Sequence, residues 1–272
     1  MIIAVDVGGT KTLVADFDSS GRPGKESRFE TPRDEKAFLA TLLETIDGHY
    51  PDRSQIDALC IALPGEITVT HRLEYAPNLG WKHIAIKTQL ERAFDCPIYV
   101  ENDANLAGLA EAHQLSPVPR TLLYVTVSTG IGTGVITRGH IDETLRESEG
   151  GHMLIEYDGI LREWESFASG HSIYATYGKY ARDITDKHIW ESIADKISRG
   201  LLALIPVVRP DIVVIGGSIG TYFERYQKAL TTLLSERLDK QMVPIPPVVQ
   251  ARYPEEAVIY GCYYYAVAQL TH

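Results

Sequence analysis

The sequence is poor in cysteine, in basic runs and in long apolar stretches. Its three cysteines, Cys60, Cys96 and Cys262, stand singly with no C-x-x-C spacing. This argues against a disulfide framework and a thiolate zinc cage, and leaves them as small apolar side chains of a reducing compartment. No apolar run reaches the ~18 residues that a membrane-spanning helix needs. The opening MIIAVDVGG has neither a basic region nor a cleavage site and reads as a buried first strand. A cytoplasmic protein without a membrane partner is expected. The formal net charge is -10 with no long basic run, which speaks against nucleic-acid binding by phosphate neutralisation.

What the sequence does hold is a globular composition, 44% hydrophobic and 23% charged. Its 272 residues suffice for one large domain or two lobes around a cleft. The pattern predicts a strand over 2–7, a turn at Gly8-Gly9 and a strand over 12–18, together a β-hairpin. A helix is expected over 34–49, where Ala37, Phe38, Leu42, Leu43 and Ile46 recur at helical spacing. A strand over 56–63 ends at Pro64-Gly65, and a short strand at 98–100 leads to a helix over 104–113. The proline-bearing SPVPR at 116–120 is a candidate lobe boundary. The opening pattern then recurs as strand 122–127, glycine-rich turn 128–134 and strand 135–138. A third strand, 212–215, runs into Gly216-Gly217-Ser218, and helices are expected over 186–208, 222–239 and 255–270. Two lobes that each begin with strand, glycine turn and strand suggest a duplicated α/β architecture with a ligand between them.

Several constellations carry candidate chemistry. In Asp6-Val7-Gly8-Gly9-Thr10-Lys11-Thr12, two glycines let the backbone approach a phosphate, with N–H groups, threonine hydroxyls and Lys11 as donors. Asp6 at a strand end suits a hydrated Mg²⁺. The same residues would also serve as a plain glycine hairpin with a surface lysine, and they are not a Walker A loop. Ser128-Thr129-Gly130-Ile131-Gly132-Thr133-Gly134 repeats this logic, with a strand rather than a dinucleotide-binding helix following. Gly216-Gly217-Ser218 could let a base or ribose lie against the backbone, or be an ordinary strand-to-helix loop. In Glu101-Asn102-Asp103-Ala104-Asn105, Asp103 reads either as a helix N-cap or as a carboxylate accepting a proton from an attacking hydroxyl, with Asn102 aligning the substrate. Glu149-Gly150-Gly151-His152 can hydrogen-bond adjacent hydroxyls of a polyol, or form a turn with a solvated glutamate and a packed histidine.

Taken in order, these motifs resemble the ROK family of sugar kinases and sugar-responsive repressors. VDVGGTKT at 5–12 resembles its first phosphate motif and VSTGIGTGVI at 127–136 its second. LPGEI at 63–67 and APNLGW at 76–81 resemble its sugar-side loops. ENDANLAGLAEA at 101–112 resembles its catalytic segment, SEGGHM at 148–153 its sugar-binding E-x-G-H element, and IVVIGGSIG at 212–220 its adenosine motif. The resemblance implies an α/β, two-lobed, actin-like (ribonuclease H-like) fold with an interlobe cleft. The expected lobes are 1–117, packed by a C-terminal helix over 255–272, and 118–254. It further implies ATP with Mg²⁺, a small-molecule sugar and a homodimer. Asp103 would be the base for the sugar 6-hydroxyl. Asn102, Glu149 and His152 would hold the ring, helped by Asn78 and the Gly65 backbone. ATP would be held by Gly8, Gly9, Thr10, Lys11 and Thr12, by Thr129, Gly130 and Gly132, and by Gly216, Gly217 and Ser218. Asp6 would position Mg²⁺ through water.

One departure concerns GHMLIEYDGILREWESFASG at 151–170. Many family members carry CxCGxxGCxExxxSG here and bind zinc. In this sequence Glu156, Asp158 and Glu163 take the three cysteine positions, while Glu165 keeps the place of a sugar-contacting glutamate. Thiolate zinc binding is lost, so the segment either folds without metal, held by Leu154, Ile155, Trp164 and Phe167, or binds a harder ion through its acids and His152. No structural zinc is expected. The expected function is an ATP-dependent kinase for the 6-hydroxyl of a glucose-like hexose. A kinase for an N-acetylhexosamine, fructose or allose, and a non-catalytic sugar-binding regulator, are the alternatives. Polyphosphate stays open as the donor. A repressor is disfavoured because the first strand begins at Ile2, leaving no helix-turn-helix, and because the charge is acidic.

Overall fold

In a computed structural model, the structure describes residues 1–68, 70–238, 240, 243–253 and 256–271. The chain divides into two compact units: Met1–Ala110 with Val258–His272, and Glu111–Ala257. The division falls at Ala110, inside a helix, where the sequence placed a boundary at 117. The expected helix ends at Asp239 and Glu255, and His272, lie outside the described residues.

Unit 1 is built on a five-stranded sheet in the order Pro23–Glu30, Lys11–Phe17, Ile2–Val7, Ala58–Leu63, Ile98–Asn102. The first three strands are antiparallel neighbours and the last three run parallel. Ala58–Leu63 is buried throughout, as a continuous apolar run in a parallel sheet must be. Helix Glu35–His49 starts where the Asp34 carboxylate accepts from the Ala37 N–H, and it buries Phe38, Leu42 and Ile46. A small sheet of Glu66–Ile67, Leu73–Ala76 and Trp81–Ile84 precedes the helix Ile86–Glu91. Tyr260 and Tyr263 of the last helix, Ala257–Leu270, pack on Phe17, with ring centroids 5.5 and 5.1 Å away. Those tyrosines therefore contribute to the interior of this unit.

Unit 2 repeats the topology: His140–Ile141, Ile131–Thr137, Thr121–Val127, Ile212–Gly216, Val248–Gln250. Again an antiparallel hairpin is extended by parallel strands. Helices Lys187–Val208 and Gln227–Leu238 cover it, with Ile193, Ile197, Leu201, Leu230 and Leu234 fully buried. Two expectations need correction. The second glycine turn is only Ser128–Gly130, because Ile131 already pairs with Val127 and Gly132 with Thr126 as strand residues. The segment after His152 is a β-hairpin, Leu154–Tyr157 and Ile160–Glu163, followed by the helical turn Glu165–Ala168.

Candidate functional site

In unit 1 the parallel strands deliver their C-terminal ends to one group of polar residues. Asp6 sits near the end of Ile2–Val7, and Asp103 opens the helix Asp103–His113 directly after Ile98–Asn102. The cap of that helix is not Asp103 but Asn102. Its Oδ1 accepts from the Ala104 N–H at 2.8 Å and the Asn105 N–H at 3.1 Å. Asn102 Nδ2 donates to the Gly65 carbonyl at 3.0 Å. Asn102 is thus largely committed to tying the LPGEI loop to the start of the helix. Its neighbour Glu101, buried, accepts from the Asn102 N–H and from Asn105 Nδ2. Gly65 takes φ +94°, and any Cβ there would meet the Tyr75 carbonyl at 2.2 Å.

With capping assigned to Asn102, the Asp103 carboxylate accepts the Ala104 N–H at 2.7 Å. Asp103 and Asp6 are half-buried residues. Burial pushes the Asp103 carboxyl from 3.8 to about 6, against hydrogen bonds that lower it. Burial first, and then the Asp103 charge, push Asp6 to about 7, while Arg28 lowers it. The first glycine turn joins this group, since a Cβ at Gly9 would lie 3.2 Å from Asn78 Cβ. Gly8 N–H donates to the Lys11 carbonyl at 3.0 Å, and Thr31 Oγ1 donates to the Gly8 carbonyl at 2.8 Å. Thr10 and Lys11 are exposed. Thr12 is set apart from them. It is fully buried and its hydroxyl pairs with that of Thr31 at 2.9 Å, so it shapes the turn from beneath. Thr31, a partner of both Gly8 and Thr12, is a residue that no local motif signals.

In unit 2 the other expected residues converge. The Ser128 and Ser218 hydroxyls lie 3.4 Å apart, bringing the second glycine turn to Gly216-Gly217-Ser218. Thr129 and Ser218 are exposed. Gly150 N–H donates to Thr133 Oγ1 at 3.1 Å, seating the 3-10 turn Gly150–His152 on strand Ile131–Thr137. Glu149 precedes that turn and makes no side-chain cap bond to it. His152 Nδ1 lies 3.4 Å from Glu163 Oε2, and Glu165 Oε2 accepts from the Ile131 N–H at 3.1 Å. Glu149, His152, Glu165, Thr129, Gly130 and Ser218 therefore all belong to one face-building set of loops within this unit.

The ROK family model matches residues 2–269. The chain belongs to the ROK family. It is 26% identical to a fructokinase of Lactococcus lactis subsp. cremoris over 87% of this chain and 86% of that one. It is 28% identical to an N-acetylmannosamine kinase of Yersinia pseudotuberculosis over 98% and 99%. The structure superposes on the ROK hexokinase of Thermus thermophilus with a TM-score of 0.79, 27% identity and 99% coverage of each chain. The fold of this ROK protein is the actin-like ATPase fold, an α/β architecture whose two sheets repeat one topology. No helix among its described residues is long and apolar enough to cross a membrane.

The positions matched above to the cysteine motif fall in the hairpin at 154–163. Asp158 and Gly159 form its turn with φ of +55° and +74°, the pattern of an Asp-Gly type I′ turn. Glu156 accepts the Gly159 N–H at 2.6 Å and so closes the turn. The Tyr157 ring stacks on Phe167 at 4.5 Å and 3°, with Lys196, Arg199 and Arg162 at 5.8–6.0 Å from its centroid. Trp164 is fully buried and donates from Nε1 to the Lys196 carbonyl at 3.1 Å. Ile155 packs on the core, but Leu154, expected to pack there, is 64% exposed. It faces the same side as Glu156, Leu161 and Glu163, away from the Tyr157 side.

Zinc and magnesium place different demands on these donors. His152, Glu163 and Glu165 each offer one ligand atom, mutually within 4.8 Å. Neither Glu156 nor Asp158 joins them. One imidazole and two carboxylates, with His152 and Glu163 about half exposed, do not make the closed four-ligand sulfur-and-nitrogen set of a structural zinc site. Asp6 fits magnesium better. Its recessed carboxylate, whose proton affinity burial and the Asp103 charge raise, offers the hard oxygen donor that this ion takes.

Proposed function

We propose that this ROK protein transfers the γ-phosphoryl group of ATP to the 6-hydroxyl of a glucose-like hexose, with Asp103 as the general base. Membership of the family, and named kinases among relatives aligned over most of their length, support a phosphotransferase acting on a sugar hydroxyl. The observation that carries the finer reading is the state of Asp103. It sits at a strand end, is relieved of capping by Asn102, and holds its proton up to about pH 6. A carboxylate tuned upward is a better proton acceptor for a hydroxyl near neutrality than an ordinary one.

In this reading Asp103, Asp6, Asn78 and the Gly65–Asn102 tie serve the reacting hydroxyl and the ion, and Glu149, His152 and Glu165 serve the sugar ring. Asp103 accepts the 6-hydroxyl proton as that oxygen attacks phosphorus. Gly8, Gly9, Thr10 and Lys11 donate to phosphate oxygens, as do Thr129 and Gly130, while Gly216, Gly217 and Ser218 border the nucleoside. Asp6 would hold Mg²⁺ through water, and the ion neutralises phosphate charge when bound. Thr12 and Gly132 act through the backbone they shape. The relatives named for fructose and for N-acetylmannosamine are each under 30% identical, so sugar preference is decided by assay. Assayed over hexoses and N-acetylhexosamines, the protein should release ADP from ATP in a sugar-dependent way that Asp103→Asn abolishes, and sugar phosphate formed from polyphosphate without nucleotide would mark that donor instead. Turnover retained in that variant would remove Asp103 from the base role.

A further inference from the structure

Glu165 has a second attachment that a sugar contact does not require. Its Oε2 accepts the N–H of Ile131, the residue that leaves the turn Ser128–Gly130, at 3.1 Å. A Cβ on Gly130 would lie 2.7 Å from that same oxygen, so glycine at 130 is what lets the carboxylate reach the backbone. Five residues on, the Gly170 N–H donates to the Ser128 carbonyl at 2.6 Å. The segment 165–170 therefore clasps the turn at both ends, by a carboxylate at its exit and a backbone N–H at its entry. Gly151 closes on the same place, since a Cβ there would meet the Ile131 carbonyl at 2.1 Å and Glu165 Oε2 at 3.4 Å. Glu165 Oε1 makes no hydrogen bond among the described residues. The carboxylate also stands in the His152–Glu163–Glu165 cluster.

We infer that Glu165 is a positioning residue for the nucleotide turn as well as a sugar contact, with one oxygen holding Ile131 and the other left for the substrate hydroxyl. The inference rests on the reading that the Ser128–Gly130 turn holds phosphate. An acceptor fixed on the Ile131 N–H sets where the turn exits, and so where its neighbouring N–H groups point. A sugar hydroxyl that orders this carboxylate also orders the turn, so sugar and nucleotide affinities become linked in both directions. The linkage runs through one side chain inside one unit.

The test is the affinity of a non-hydrolysable ATP analogue, AMPPNP with Mg²⁺, for the full chain in the absence of any sugar, measured by calorimetry. Glu165→Ala should weaken it about tenfold, the value of a lost charge-assisted hydrogen bond. Glu165→Gln keeps an acceptor for the Ile131 N–H and should recover most of the loss, while still raising the KM for the sugar. Gly130→Ala should mimic Glu165→Ala, and the double variant should lose little more, because both remove one contact. Wild-type affinity in Glu165→Ala overturns the inference and leaves the kinase reading standing. A wild type that does not bind AMPPNP overturns both. A loss that Glu165→Gln does not relieve, or that adds fully to Gly130→Ala, marks general loss of structure and also overturns it.

Discussion

The recessed acid at Asp103 should cost this protein stability, and removing it should return that stability while abolishing turnover. In the unfolded chain the carboxyl titrates near 3.8, and in the folded protein near 6. Between those values the folded protein holds a proton that the unfolded chain has released. Stability therefore falls as pH rises through that window and stays low above it. At about 1.4 kcal/mol for each tenfold change in proton affinity, the cost above about pH 7 is ~3 kcal/mol. Retained solvent contact of a half-buried residue makes this an upper figure. Asn in its place keeps the acceptor for the Ala104 N–H and carries no charge. It also relieves Asp6, whose raised pKa of about 7 owes part of its rise to Asp103. Urea melts of wild type and Asp103→Asn near pH 8 and near pH 4.5 measure the effect. The variant should be more stable by ~3 kcal/mol at the higher pH and by ~1 kcal/mol at the lower, where much of the wild-type penalty is gone. A variant less stable than wild type near pH 8, or a gain independent of pH, would refute the reasoning.

Three other outcomes are expected. With Asp103 in the proposed base role, the kcat/KM of the wild type should fall on the acid side with a limb near pH 6, where its carboxyl takes up a proton; a profile flat down to about pH 5 would count against it. Tyr157→Ala should lose about 1–3 kcal/mol from its stack on Phe167 and its cationic neighbours, and should raise the sugar KM more than it lowers kcat, whereas Tyr157→Phe should keep both; equal kinetics in the alanine variant would show that the hairpin does not hold His152. Purified protein should contain no stoichiometric zinc by elemental analysis, and one zinc per chain would overturn the fit drawn from its donors.

The parts legible in the sequence were those whose signal is local. Ile2–Val7, Ala58–Leu63 and Thr121–Val127 are apolar runs long enough to be strands and too short for helices. Pro23–Glu30 is mostly exposed, with the polar sequence PGKESRFE, so nothing in its hydropathy marks it as an edge strand. The hairpin at 154–163 did carry a signal in Asp158-Gly159, but its acids fall in the register of a zinc motif, and both patterns share the same residues. Asn102 and Asp103 are equally good caps on paper, and only the backbone path decides between them. The bond from Glu165 to Ile131 spans 34 positions and has no local trace at all.

The tie from Asn102 to Gly65 has a consequence for where this chain tolerates change. One amide fixes the first turn of the helix that carries Asp103 and at the same time pins the loop at 63–67, where the Tyr75 carbonyl also forbids any side chain at Gly65. A change there moves the Asp103 carboxylate along with the loop. The exposed side chains at the tip of the 154–163 hairpin carry no such tie, with Ile160 and Leu161 each more than half exposed. Sequence change is therefore freer at that tip than at Gly65, where one substitution disturbs the loop and the first turn of the helix together.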